Sequence, residues 1–296
     1  MPGQEILSLL QENEGLLYAT AIALGLIMGS FLNVVILRVP KMMEAGWRRD
    51  CAELNGEGEA SADDSPPALT LSNPPSTCPA CGHRIRAYEN IPVVSYLLLR
   101  GRCSACGTRI SVRYPLVEMA TALLTLVVVA QFGVTWQMGA ALMLTWTLIA
   151  LALIDYDTQL LPDSITLPLL WVGLFLSLFD VFTDSHSAII GAVAGYLSLW
   201  LVFHLFRLTT GKEGMGYGDF KLLGLFGAWL GWQYLPQIIL LSALTGAVIG
   251  IALILSGRHE QGKPMPFGPY LAAAGWISLL WGGPINDAYL RISGLG

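Results

Sequence analysis

From Leu16 to Leu37 the sequence carries no charged residue, a run long enough for an α-helix to cross the roughly 30 Å hydrocarbon core of a bilayer. Seven further apolar stretches follow, near 115–133, 136–154, 164–182, 188–206, 220–235, 236–256 and 267–284. Backbone polar groups inside lipid must be satisfied within their own segment, so such stretches form helices. The sequence therefore predicts an all-α polytopic membrane protein of about eight transmembrane helices, the sixth being the shortest. Composition agrees: 54% of positions are hydrophobic and 12% charged, against about 25% charged in a soluble domain. A soluble globule is excluded. The first stretch follows Glu5, Glu12 and Glu14 rather than a basic segment, so it reads as a retained helix and not a cleaved signal.

The sixteen Lys and Arg residues can be sorted onto the two sides that eight spans define. All but Arg291 fall on the side that holds residues 38–114 and the 207–221 loop. The positive-inside rule makes that side cytoplasmic and places both termini in the periplasm. The formal net charge of -5 offers no basic surface for nucleic acid, and none is expected as a partner; the lipid bilayer is.

Nearly half of the charged side chains lie in residues 38–114. Within this insert, residues 51–77 are rich in Glu, Asp, Ser, Gly and Pro, cannot bury a core, and read as a flexible acidic linker containing Cys51 as a bystander. Two knuckles follow, Cys78-Pro-Ala-Cys81-Gly82 and Cys103-Ser-Ala-Cys106-Gly107. Four thiolates so spaced make a closed tetrahedral zinc site with a structural role; two disulfides or a redox pair are the alternatives. His83 reads as a polar neighbour, since four ligands are already present. The segment from Tyr88 to Arg102 is either an amphipathic piece on the membrane surface or the wall of a small-molecule site.

Ionisable residues at the edge of a span are costly and so are functional candidates. Glu118 lies one turn into the second span. Asp155, Asp157 and Asp163 border the third and fourth. Asp163, after Pro162 and before Ser164-Ile165-Thr166, has the signature of a helix N-cap. Asp180 and Asp184 read as solvated, His186 carries no signal, and His204 reads as a core histidine bonded to a neighbouring helix. Asp219 closes Gly216-Tyr217-Gly218-Asp219, where two glycines permit close approach of an extended substrate. Both Asp155 and Asp219 fall on the cytoplasmic boundary. Two carboxylates in a poorly solvated site tend to share one proton, so one activates water while the other protonates a carbonyl or leaving amine.

Several motifs in order resemble the type IV prepilin peptidases, bifunctional enzymes of the bacterial inner membrane. They are Gly29-Ser30-Phe31-Leu32-Asn33-Val34-Val35 with Arg38-Val39-Pro40, the paired Cys knuckles, Arg113-Tyr114-Pro115-Leu116-Val117-Glu118, Asp155 with Leu161-Pro162-Asp163, and Gly216-Tyr217-Gly218-Asp219. The resemblance implies Asp155 and Asp219 as the catalytic pair, with Gly216, Gly218 and Asp163 in support. It implies cleavage of a basic leader from type IV prepilins and type II secretion pseudopilins, then methylation of the new N-terminus from S-adenosylmethionine. The insert is the expected methylation site, with Glu89, Asn90, Gly101 and Glu118 as candidates for holding the donor. The expected organisation is residues 1–37 as tail and first helix, 38–114 as zinc insert, and 115–296 as a seven-helix peptidase domain. Another GxGD intramembrane protease is opposed by the zinc insert. A proton-coupled transporter would place acids near the bilayer midplane.

Overall fold

The computed structural model describes residues 8–55, 69–212, 214–257 and 265–293. Among these the regular elements are helices, joined only by two isolated antiparallel bridges, Thr77 with Arg84 and Arg102 with Arg109. In chain order they are α1 (Glu14–Leu54), a 3₁₀ turn at Ala87–Asn90, α2 (Val94–Leu98), α3 (Arg113–Phe132), α4 (Trp136–Thr158), α5 (Asp163–Ser177), α6 (Ser185–Thr210), α7 (Tyr217–Leu230), a 3₁₀ turn at Trp232–Tyr234, α8 (Leu235–Leu255) and α9 (Gly268–Ser293). Every apolar stretch read from the sequence holds one helix. Five of the described helices are long and apolar enough to cross a membrane: α1, α3, α4, α6, and α8 with its preceding turn. The chain divides into two compact units, Met1–Val134 and Thr135–Gly296.

In the first unit α3 pairs with α1 across a glycine seam. A Cβ on Gly25 would meet the Cα of Ala122 at 2.5 Å, and one on Gly29 would meet the Cα of Glu118 at 2.6 Å. Only residues without a side chain allow this approach, which is the usual way membrane helices gain packing energy. Asn33 closes the upper end by donating to the carbonyl of Tyr114 at 3.1 Å.

The first helix does not stop at Leu37. It continues through Pro40 to Leu54, so Cys51 is an exposed helical residue and not part of a linker. Apolar patterning marks where lipid ends, and polar residues of good helix propensity carry the same helix onward into water. The remainder of the expected linker divides in two. Residues 56–68 lie outside the described residues. The stretch near Thr70–Pro74 is held by Arg38, whose guanidinium donates to the carbonyls of Thr70 (2.8 Å), Leu71 (3.3 Å) and Pro74 (2.8 Å).

The second unit is built around α7. From Asp219 to Leu230 every residue except Lys221 is buried, and its 14 residues reach only about 21 Å. Glycines on both partners bring α6 against it: a Cβ on Gly227 would sit 2.0 Å from the carbonyl oxygen of Gly191. Trp229 fills the notch at Gly173 of α5 and donates its indole N–H to the Leu169 carbonyl at 2.8 Å. On the α9 side, Phe226 packs on Gly275. Helix α9 kinks at Trp281, three residues before Pro284, whose ring cannot accept the preceding turn.

Candidate active site and cysteine cluster

Asp155 stands in the last turn of α4 and Asp219 in the first turn of α7; both are buried. They lie within Coulombic reach of each other. The amide N–H of Gly268, at the start of α9, donates to Asp155 Oδ2 at 2.9 Å. Gly268 has to be glycine here, because a Cβ would lie 2.6 Å from that same oxygen. The Oδ1 of Asp219 is buried and receives no hydrogen bond among the described residues. A buried carboxylate oxygen without a donor is costly, and it is the group on which a water or a substrate donor gains most. The glycines of the 216–219 motif also have separate duties. Gly216 is the N-cap of α7, while Gly218 packs on Leu161, where a Cβ would meet the Leu161 Cβ at 2.7 Å.

Asp163 is not the cap that its sequence context suggested. Pro162 occupies the cap position and makes no side-chain cap bond; Asp163 is the first helical residue of α5. Its two oxygens each receive Lys221 Nζ at 2.7 Å. The local signature could not show a lysine 58 positions away. Asp157 is exposed, whereas Asp155, two residues earlier and so on the opposite face of α4, is buried. Asp184, read as merely solvated, is the N-cap of α6 and accepts from Ser187 N at 2.9 Å. His204 bonds within its own helix, Nδ1 lying 3.0 Å from the Trp200 carbonyl oxygen, rather than to another helix among the described residues.

In the first unit the four cysteines converge, with all Sγ atoms within 4.8 Å of one another and Cys78 Sγ 3.9 Å from Cys106 Sγ. A tetrahedral Zn–S₄ site with bonds of about 2.3 Å requires sulfur separations of about 3.8 Å, so the donor set fits zinc. None of the four is joined to another by a disulfide bond. The two knuckles are built alike. Gly82 N donates to the Cys78 carbonyl at 2.9 Å and Gly107 N to that of Cys103 at 3.0 Å, each glycine at φ +71°. The Thr108 hydroxyl beside Cys106 draws that thiol below its ordinary range, to about 6.

The four residues expected to hold a methyl donor have the following surroundings. Glu89 Oε2 receives Arg86 N at 2.8 Å and lies 3.3 Å from His83 Nε2, while Oε1 receives the Ser104 hydroxyl at 2.5 Å. Ser104 above all holds the Glu89 carboxyl at about 2, and the contact ties one knuckle to the other. Glu118 Oε2 receives Val93 N at 2.7 Å. Gly101, at φ +65°, lies under Tyr96, whose Oη would be 2.8 Å from a Cβ. Asn90 is exposed. Two of the four thus have carboxylates that accept hydrogen bonds within the insert and from α2's N-terminus.

A model described as the bacterial peptidase A24 N-terminal domain matches residues 23–132, and one described as the type IV leader peptidase family matches residues 142–251. The chain is 56% identical over 273 residues to the prepilin leader peptidase/N-methyltransferase of Pseudomonas aeruginosa, covering 92% of this chain and 93% of that protein. It is 54% identical to the protein of the same name from Stutzerimonas stutzeri, covering 93% and 94%. It is 53% identical to that of Aeromonas hydrophila, again covering 93% and 94%. No solved structure matches the chain.

Proposed function

This chain belongs to the type IV leader peptidase family, and on that premise we propose that it cleaves prepilin leaders with the pair Asp155 and Asp219 and then methylates the new N-terminus. The observation that carries the assignment is the placing of two buried carboxylates from different helices within reach of each other, one oriented by the Gly268 amide and the other with an unbonded oxygen. One carboxylate accepts a proton from water as that water attacks the scissile carbonyl; the other, protonated, donates to the carbonyl oxygen. Collapse of the tetrahedral intermediate passes a proton to the departing amine, leaving a carboxylate on the leader and a free N-terminus on the pilin.

The Gly268 N–H, bonded to Asp155 Oδ2, restrains rotation of that carboxylate. The Asp163–Lys221 pair and the packing of Gly218 on Leu161 hold the entrance of α7 in register with the start of α5. Type II secretion pseudopilins are substrates on the same reading, having the same leader and helix junction.

The charge sorting supports a bacterial inner-membrane protein of eight spans with periplasmic termini, the insert and both aspartates lying on the cytoplasmic side. Cys78, Cys81, Cys103 and Cys106 would hold a structural zinc, which supplies a cross-link between the knuckles. The insert carries the methyl-transfer half of the activity. That reading is supported by a match to a separate N-terminal model over residues 23–132 and by the location of the dyad in the other unit. S-adenosylmethionine is the donor, and no step is assigned to Glu89, Asn90, Gly101 or Glu118 in binding it. Incubating the full-length protein and its Asp155→Asn and Asp219→Asn variants with a prepilin, with and without S-adenosylmethionine, tests the whole reading by mass: loss of the leader and gain of a methyl group are separate signals.

A further inference from the structure

Val93 is held in a backbone conformation that its side chain opposes. Its φ of 59° and ψ of -46° lie outside the regions open to L-residues, and among the described non-glycine residues at positive φ it is the one that is β-branched. Such a residue persists only where its surroundings impose it. What imposes it here is Glu118. The Val93 N–H donates to Glu118 Oε2 at 2.7 Å, across 25 positions of sequence. Glu118 is buried in α3. At that level the two membrane helices touch backbone to backbone, through Gly29 against the Cα of Glu118. Val93 in turn opens α2, its carbonyl accepting from Leu97 N at 3.0 Å. Glu118 thus stands where α1, α3 and the segment between the two cysteine knuckles meet.

We infer that Glu118 is a positioning residue that latches the segment Ala87–Arg102 onto the α1–α3 pair, and that this latch sets the geometry of the insert for methyl transfer. The inference rests on the reading above that the insert carries methylation. It gives Glu118 a role other than holding the methyl donor. A latch needs only an acceptor for the Val93 N–H, so glutamine should serve, and its loss should be offset by removing the strain it holds in place.

The test uses the full-length protein in lipid nanodiscs with a prepilin substrate. Hydrogen exchange is read over residues 87–102, and cleavage and methylation are read separately by mass. Glu118→Ala should speed exchange in that segment at least tenfold and lower methylation at least tenfold, with cleavage kept within about threefold of the parent. Glu118→Gln should retain most of both properties. Adding Val93→Gly to Glu118→Ala should recover protection and methylation by at least threefold, since glycine adopts positive φ without penalty. Unaltered exchange in Glu118→Ala would overturn the latch. So would a Gln variant as damaged as Ala with no rescue by Val93→Gly, which is the behaviour of a donor-binding carboxylate, or a fall in cleavage equal to the fall in methylation, which is that of a general fold contact. Exchange that loosens and is rescued while methylation stays constant would leave the contact standing and refute the assignment of methylation to the insert, and with it the role inferred for Glu118.

Discussion

Lys221 places its ammonium 2.7 Å from both carboxylate oxygens of Asp163, joining the first turn of α5 to the first turn of α7 two residues after Asp219. The pair is partly exposed, with 27% of the lysine and 54% of the aspartate side chain in contact with solvent, so it contributes about 0–1 kcal/mol to stability. Its effect should instead be on geometry. Lys221→Ala and Asp163→Asn should each lower kcat for leader cleavage by roughly three- to tenfold with little change in thermal unfolding, as expected for a small displacement of a reacting group. Steady-state kinetics beside a melting curve check this. A large loss of melting temperature with kcat unchanged would assign the pair to stability alone.

Gly268 should tolerate no side chain. In Gly268→Ala the new Cβ would stand 2.6 Å from Asp155 Oδ2, so either the carboxylate turns away or α9 withdraws its N–H. Cleavage should fall at least about a hundredfold, the scale of a lost acid–base group, while the zinc content of the protein is unchanged. Metal analysis and a cleavage assay on one preparation separate the two effects.

Zinc should be present at about one ion per chain, as four thiolates require, and its removal by a chelator should loosen the insert. Cys103→Ser should lower metal content and speed proteolysis of residues 78–109, because the knuckles then lose their cross-link. Cys51→Ser should do neither, Cys51 being an exposed residue of α1. Full occupancy in Cys103→Ser would show that the four cysteines are not the ligand set.

The cysteine tetrad and Asp219 were legible because their signals are local: two cysteine pairs at fixed spacing, and an acid behind two glycines. The end of an apolar run marked Asp155 and Asp157 alike, and only the family resemblance singled out Asp155. What could not be read depends on contacts between distant positions. Nothing near Asp163 announces Lys221, nothing near Gly268 announces Asp155, and nothing near Val93 announces Glu118. The extension of α1 to Leu54 was hidden for another reason. Hydrophobic patterning reports where a helix leaves lipid, and it is silent on where the helix ends. The pairing of α3 with α1 lay in Gly25 and Gly29, whose meaning depends on which helix faces them.

The orientation proposed from the charge sorting is open to chemical labelling. A cysteine placed at Ser185, in the first turn of α6, should react with a membrane-impermeant maleimide in intact cells. One placed at Ser72, an exposed position of the insert, should react only after the membrane is opened. Labelling of the Ser72 position in intact cells would reverse the assignment.

The central claim is that Asp155 and Asp219 act as one unit on the scissile bond. Its most direct measurement is the rate of leader removal from a prepilin, read by mass, in Asp155→Asn, Asp219→Asn, the double variant and Asp157→Asn. Each single change should lower the rate by about 10²–10⁴-fold, and the double variant should be scarcely slower than either, because residues acting together lose their contribution together. Asp157→Asn should cleave at close to the parental rate, its side chain being exposed. Substantial cleavage by both Asp155→Asn and Asp219→Asn, or loss confined to Asp157→Asn, would contradict the account.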